Sequence, residues 1–437
     1  MEAEIISPTP VDKAERIASV DVIRGVAILG ILLMNIPGFS GEFAMLYEAF
    51  TSPKNSADYL TAATIFSFFE GTMRGLFSML FGAGMLLFIL NKKDKPFGTT
   101  VTEYYFRRLS WLVGFGLLHA FVFQWTGEIL FFYGLMGMIL FPFRNLSAKW
   151  LWALGLLCIA LNFYKVQNGN DEQRMLRVNY TAALVAQQEK KELTEEQQGA
   201  LEGWPEMEKN FKVDSFQLQE NVAKMRGSYG DVFEFQYPRS AGGEVNYTYH
   251  GLFDILCMMF IGMALFKMGF LSNRSSTNTY WLMLLLGYGI GIPMGYIYFH
   301  GFESLLLSPG RFFDSYTVAP SQLYDIRRVL LCLGHISLLM LIYRSGWLNW
   351  LMRSLGSVGQ MAFTNYFMQT VFCTFYFFGY GLGNYQKLSF HQIYYVVAAI
   401  WLFQLIISPI WLKYFRFGPF EWLWRSLTYW KKQPMKL

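Results

Sequence analysis

Residues 116–134 read GLLHAFVFQWTGEILFFYG, two apolar runs that meet at the short turn Trp125-Thr126-Gly127 and carry one histidine, His119, and one glutamate, Glu128. Extended in both directions, the runs become apolar blocks over 104–125 and 128–143. Blocks of about 18 residues read as membrane-crossing helices. So short a turn makes the two helices antiparallel neighbours. An ionisable side chain in hydrocarbon is costly unless it is paired or faces water, so His119 and Glu128 are functional candidates.

The same block pattern recurs along the chain. Ten spans are predicted, over 20–39, 59–90, 104–125, 128–143, 148–165, 249–268, 279–300, 326–343, 358–380 and 392–412. The 437 residues are 54% hydrophobic and only 15% charged, against about a quarter charged in soluble domains. The fold class is therefore all-α, a polytopic helix bundle. The second block is too long for one straight crossing, and FFEGTMRGLF inside it predicts a break around Glu70 and Arg74. Three parts are expected: an N-terminal bundle over 1–165, a partly helical insertion over 166–248, and a C-terminal bundle over 249–437 with an interfacial tail.

Orientation follows from the cations in short loops. One side collects Lys13, Arg16, Lys92, Lys93, Lys95, Arg107 and Arg108, together with the cations of the C-terminal tail. The other side holds only Lys54, Arg311, Arg327, Arg328 and Lys387. Both termini are thus expected in the cytoplasm. The net charge of +5 reflects this distribution, and no nucleic-acid partner is expected. The polar, acidic start of the chain is unlike a signal peptide, so the first block is expected to stay as an anchor. In the insertion, Thr194-x-x-Gln197 has capping-box spacing, whereas RGSYGDVFEFQYPRSAGG (226–243) reads as a loop returning to the membrane. The insertion is read as a spacer more than as a lid. The tail FRFGPFEWLWRSLTYWKK has the composition of a headgroup-level helix. GYGIGIPMG (287–295) lies inside an apolar block and is read as helix packing, not as a phosphate loop. The four cysteines fall singly in apolar blocks and are read as packing residues, and no histidines have metal-ligand spacing, so no metal site is predicted.

Chemistry is expected in the membrane. His119 suits proton transfer near neutral pH, with Glu128 fixing its tautomer; His335 is the rival. Asp21 and Arg24, i and i+3, predict an ion pair at the start of the first span. Arg24 with Arg107 and Arg108 would make a basic mouth for an anionic cofactor, although anchoring explains Arg107 and Arg108 as well. Glu70 and Arg74, one turn apart, are expected to neutralise each other. Asn35, Asn365 and Gln369 add polar groups that line a cavity or bond between helices.

At these residues the sequence resembles the YeiB family of bacterial inner-membrane proteins. The resemblance runs through SVDVIRGVAILGILLMNI, FSMLFGAG, YYFRRLSWLVGFGLLHAF and GEILFFYGLMGMIL in the first half. In the second half MAFTNYFMQTVFCTFYFFGYGLG and FRFGPFEWLWRSLT carry it. Where relatives have GDIL this chain has Glu128, and where they have GRMALTNY it has Gln360. More distantly, the Ser19-x-Asp21-x-x-Arg24-Gly25 start resembles a superfamily of multi-pass acyltransferases that take acyl groups from cytosolic acyl-CoA. The histidine of those enzymes follows the first span, but residues 36–75 here contain none, and His119 stands in on physical grounds.

The resemblance implies an acyltransferase-like protein of the bacterial inner membrane. Its donor would be acyl-CoA, acetyl-CoA among them, held by Arg24, Arg107 and Arg108. Its acceptor would be a small molecule, glycan or lipid, reached from the other side near Asn35, Glu70, Arg74, Asn365 and Gln369. The alternative is a transporter or lipid-binding protein using the same residues. Membrane lipids and a second copy of the chain are the other expected partners.

Overall fold

The structure, a computed structural model, describes residues 17–90 and 101–437. The polar N-terminus and the flanking cations Lys13, Arg16, Lys92, Lys93 and Lys95 lie outside the described residues. All regular secondary structure among the described residues is helical apart from one isolated β-bridge, between Phe415 and Lys436.

The chain begins with α1 (Ala18–Ser40) and α2 (Glu42–Thr51), then α3 (Ala57–Phe68) and α4 (Thr72–Leu90). The break between α3 and α4 falls where the sequence predicted it. Gly71 turns the chain there with φ +70°, and a Cβ at that position would run into the Tyr324 hydroxyl, so glycine answers both demands. Next come α5 (Val101–Phe121) and α6 (Leu130–Leu140), joined through the Trp125 turn. The insertion is built from α7 (Ala148–Gln188), α8 (Glu195–Lys209), α9 (Ser215–Met225) and α10 (Tyr229–His250). The second half comprises α11 (Leu252–Lys267), α12 (Thr277–Leu307), α13 (Pro309–Ser315), α14 (Tyr324–Ser345), α15 (Asn349–Gln360), α16 (Ala362–Phe377), α17 (Phe390–Tyr414) and α18 (Pro419–Tyr429).

Among the described residues, six helical stretches are long and apolar enough to cross a membrane: α1, the broken pair α3–α4, α7, α12, α14 and α17. A seventh arises if α10 and α11, bent by 61° at Gly251, count as one. The ten predicted crossings are therefore not all matched by long apolar helices. The block at 128–143 yields α6 and the 3-10 turn that continues it, together Leu130–Asn145 and too short to count among the long helices. α5 opens with Glu103, Arg107 and Arg108, and the block at 358–380 is divided at Met361 into α15 and α16. The outer helices present apolar side chains to their surroundings, including Leu285 on α12 and Leu402 on α17, both more than 60% exposed. An apolar surface of that extent calls for lipid.

α1 is the axis of the bundle and packs against α4, α15, α16 and α17. Its closest approach is to α15, where a Cβ on Gly25 would strike the Leu355 carbonyl and one on Gly359 the Asp21 carbonyl. Small residues at such crossings bring helix backbones together, which is how packing forces act in lipid. Gly287, Gly291 and Gly295 of α12 are buried in the same manner, and all four cysteines are free and buried.

The insertion departs from the sequence reading. α7 continues without interruption for 41 residues, roughly 60 Å at about 1.5 Å per residue, twice the ~30 Å hydrocarbon thickness. The Thr194–Gln197 capping box is present. Residues 226–243, expected as a loop, instead form most of α10. The Asp231 carboxylate accepts the Ser228 backbone N–H at 2.7 Å while the Ser228 side chain accepts from Asp231. That reciprocal cap, with packing on α5, α6, α9 and α11, outweighs the turn-like Gly and Pro content. The tail is more than a surface anchor: Glu421 of α18 is buried and accepts the N–H groups of Phe363 and Thr364 at 2.6 and 3.1 Å, fastening α18 to α16.

Candidate functional site

Two cavities are stacked along α1 and α4. The first, about 280 Å³, has Asp21, Arg24, Arg108, Glu421 and Arg425 among its polar walls and Ile28, Leu80, Leu112 and Phe363 among its apolar ones, and it reaches Tyr133 and Tyr366. The second, about 290 Å³, is bordered by Asn35, Glu70, Arg74, Glu128, Tyr247 and Tyr324. On α1 the division falls between Ile28 and Ile31, and on α4 between Phe77 and Arg74, less than one helical turn in each case. Ile129 lines both cavities. Sequence spacing thus left four predicted residues dispersed, and the fold brings Asn35, Glu70, Arg74 and Glu128 to one cavity.

The basic mouth is made differently from the expectation. Arg24 pairs with Asp21 at 2.8 Å, as the i, i+3 spacing predicted. Arg108 lies over the Trp424 ring at 3.6 Å and reaches the cavity. Arg107 does not, because one turn position sends it the other way: it donates to the Thr428 carbonyl at 3.3 Å and faces the Tyr104 and Trp430 rings. Arg425 from the tail takes the place expected of Arg107.

The second cavity rests on an ionic cluster whose pairing also corrects the sequence reading. Glu70 and Arg74 do not bond to each other. Glu70 Oε2 pairs with Arg327 Nη2 at 2.5 Å and its Oε1 accepts from the Tyr324 hydroxyl at 3.2 Å. Arg74 Nη2 pairs with Asp254 Oδ2 at 2.8 Å. Asp254 is shared with Arg328, which also holds Asp325 at 2.8 Å, and Asn162 of α7 donates to Asp325 at 2.7 Å. The break after α3 is the reason: it turns Glu70 toward α14 while Arg74 faces α11. Arg327 and Arg328, counted from the sequence as outer-loop cations, are 1% exposed. Asp325-x-x-Arg328 repeats the spacing of Asp21-x-x-Arg24, and that signal would have found the pair. Three guanidinium groups offset three carboxylates, the condition for keeping charge in a low-dielectric interior.

His119 and Glu128 do meet, but only Glu128 touches a cavity. The His119 ring is fully buried between Tyr366 and Phe367, with centroids at 4.8 and 4.6 Å. Its Nε2 bonds Thr370 Oγ1 at 2.8 Å, and its Nδ1 lies 3.6 Å from Glu128 Oε1. Glu128 also accepts the N–H groups of Leu130 and Phe131 at 2.5 and 2.8 Å, which satisfies the start of α6. The rival His335 is satisfied at both ring nitrogens, by Tyr288 and by the Phe68 carbonyl. Asn365 and Gln369 line neither cavity. Asn365 bonds Val358 and Ser408, Gln369 bonds Ile28 and Gln404, and together they lock α16 to α1, α15 and α17. The insertion is not a spacer, since Gly243 and Tyr247 of α10 form part of the second cavity's wall.

Fold and site together define a helical membrane protein with two polar-ended cavities on one axis. Residues 265–431 match the family described as "Protein of unknown function (DUF418)". The chain is 29% identical to "Uncharacterized protein YxaH" of Bacillus subtilis (strain 168), covering 96% of each chain. It is also 29% identical to "Uncharacterized protein YeiB" of Escherichia coli (strain K12), over 95% of this chain and 96% of that one. A Bacillus acidopullulyticus relative, "Uncharacterized 39.9 kDa protein in amylase 3'region", is 27% identical over 98% of both. The chain is thus similar to YeiB and YxaH over nearly its whole length, and its C-terminal part matches the DUF418 family. No solved structure matches it.

Proposed function

We propose that the protein transfers an acyl group from acyl-CoA, held at the Arg24 cavity, to an acceptor in the Arg74 cavity. The observation that carries this reading is the stacking of the two cavities with Ile129 between them. Residue types fit the donor. Arg24, Arg108 and Arg425 suit phosphate oxygens, and the apolar stretch beyond suits a thioester arm. At about 280 Å³, close to the lower bound of ~300 Å³ for small-molecule pockets, the cavity takes that arm and leaves the nucleotide at the mouth. Glu128, on the far side of Ile129, would take the proton from the acceptor's hydroxyl or amine. The acceptor atom bonds the acyl carbon as the C–S bond breaks; the thiolate leaves by the Arg24 cavity and takes up a proton from water, while Glu128 gives its proton up to water through the second cavity. His119, behind Glu128, acts as a positioning residue, replacing its expected role as the base itself.

In this reading the termini and the Arg24 cavity face the cytoplasm of a bacterial inner membrane, and the insertion faces outward. Cysteine placed at Gly199, where a side chain meets open space, is expected to react with an impermeant thiol reagent in intact cells. Cysteine at Lys149 is expected to react only after lysis. The opposite pattern reverses donor and acceptor sides.

The reaction is tested on purified protein in lipid nanodiscs with acyl-CoA. His119→Gln keeps a polar group beside Thr370 and removes the imidazole that faces Glu128. Acyl-CoA binding and melting temperature are expected to persist while turnover falls about 10²-fold, the scale for misplacing a catalytic group. Wild-type turnover in this variant removes His119 from the mechanism. A second reading, solute transport, is favoured by the helix break at Glu70–Gly71 on the same axis. It predicts solute uptake with no acyl turnover.

A further inference from the structure

We infer that the Arg74 cavity binds its small-molecule occupant through an oxyanion, a carboxylate or a phosphate group, seated on Arg74. The argument is a census of donors and acceptors. Two carboxylates border the cavity, and both are engaged. Glu70 is held by Arg327 and Tyr324, and Glu128 by two backbone N–H groups at the start of α6. Arg74 is the group left over. Its Nη2 is fixed by Asp254 at 2.8 Å and lies 3.3 Å from the Tyr324 hydroxyl, but its Nη1 is buried with no hydrogen-bond partner among the described residues. The Tyr247 ring, 5.4 Å away, backs the guanidinium. What accessible surface the side chain retains, 21%, belongs to a residue that lines the cavity.

A buried guanidinium N–H without an acceptor is unfavourable, and an occupant that supplies the acceptor relieves it. An oxyanion does so best, because a charge-assisted bond is about twice as strong as a neutral one. The setting favours the same chemistry. α4 starts two residues before Arg74, so the positive end of its dipole lies alongside. Asn35 and Thr126 add further polar groups to the wall. Glu128 stands elsewhere on the same cavity, so an occupant bearing both an oxyanion and a hydroxyl or amine would present the second group to it. That last step rests on the acyl-transfer reading; the oxyanion site does not.

The test uses inorganic phosphate as probe and glycerol as neutral control, with the full chain in phosphatidylcholine nanodiscs. Saturable binding of phosphate and none of glycerol is expected by calorimetry. Binding is compared in an Arg24→Gln background, which removes one phosphate-compatible arginine from the other cavity. There Arg74→Gln is expected to raise the phosphate Kd about tenfold or more, whereas Lys209→Gln, on the exposed helix α8, leaves it unchanged. Gly243→Leu is the independent variant. A Cβ there approaches only the Thr126 carbonyl, at 3.9 Å, so the side chain fills the cavity without displacing the backbone, and phosphate binding is expected to vanish with the melting temperature intact. Phosphate binding that is absent in the wild type, equal in Arg74→Gln, or undiminished in Gly243→Leu overturns the assignment. Phosphate binding without acyl turnover would remove only the acyl-transfer reading, and turnover onto neutral alcohols unaffected by phosphate would remove only the oxyanion site.

Discussion

Arg328→Met is expected to destabilise the protein by about 3–5 kcal/mol, the range for removing one partner from a buried ion pair. Arg328 holds two carboxylates at once, Asp254 of α11 and Asp325 of α14. Its removal leaves three buried carboxylates against two guanidinium groups. The Asp254 backbone carbonyl loses a donor as well. The expected readout is a lower melting temperature and a fall in monodisperse protein after detergent extraction. Adding Asp325→Asn removes the surplus charge and keeps a partner for Asn162, so the double variant is expected to recover part of the loss. A single variant as stable as the wild type would mean that the cluster is solvated and does not hold α11 to α14.

Gly84→Leu is expected to weaken acyl-CoA binding by at least about a hundredfold, ~2.7 kcal/mol, with no loss of stability. Gly84 lies on α4 in the wall of the Arg24 cavity, and a Cβ added to it meets nothing within 4 Å. The leucine side chain therefore goes into the cavity and not into a neighbouring helix. Leucine is also a better helix former than glycine, by somewhat under 1 kcal/mol, so the melting temperature should hold or rise. Loss of binding in a protein that folds normally ties the donor to this cavity. Unaltered binding would place the donor elsewhere, and the Arg24, Arg108 and Arg425 cluster would revert to an anchoring role.

Much of this was legible in the sequence. Long apolar blocks identified the helical class, and the glycine at the break after α3 and the Thr194 cap were read correctly because each depends on local chemistry. The Asp21–Arg24 pair was legible for the same reason. The failures are mostly long-range. Glu70 and Arg74 were paired with each other because they are one turn apart, yet the break sends each to a different helix. Arg327 looked like a loop cation because nothing near it in sequence announces Glu70, 257 residues away, as a partner, whereas for Arg328 the i, i+3 spacing to Asp325 was a local signal left unused. α10 was misread because its glycines and Pro238 speak for a loop, while the packing that overrides them comes from α5, α6 and α11. His119 was a sound candidate by burial cost, but sequence could not tell that Tyr366 and Phe367 would wall it off from both cavities.

The division between the cavities also has an electrical meaning. In the orientation proposed above, with the Arg24 cavity toward the cytoplasm, less than one turn of α1 and of α4, together with Ile129, would separate two polar compartments on opposite sides of an energised membrane. Each elementary charge that crosses 100 mV releases about 2.3 kcal/mol, so a water-filled passage here would drain the cell's ion gradients whenever the protein was present. An apolar septum keeps that passage dry, and whatever moves it aside must fill the gap with substrate before water does. The protein is thus an insulator first, and the order in which its two cavities fill becomes a condition for the cell to stay charged.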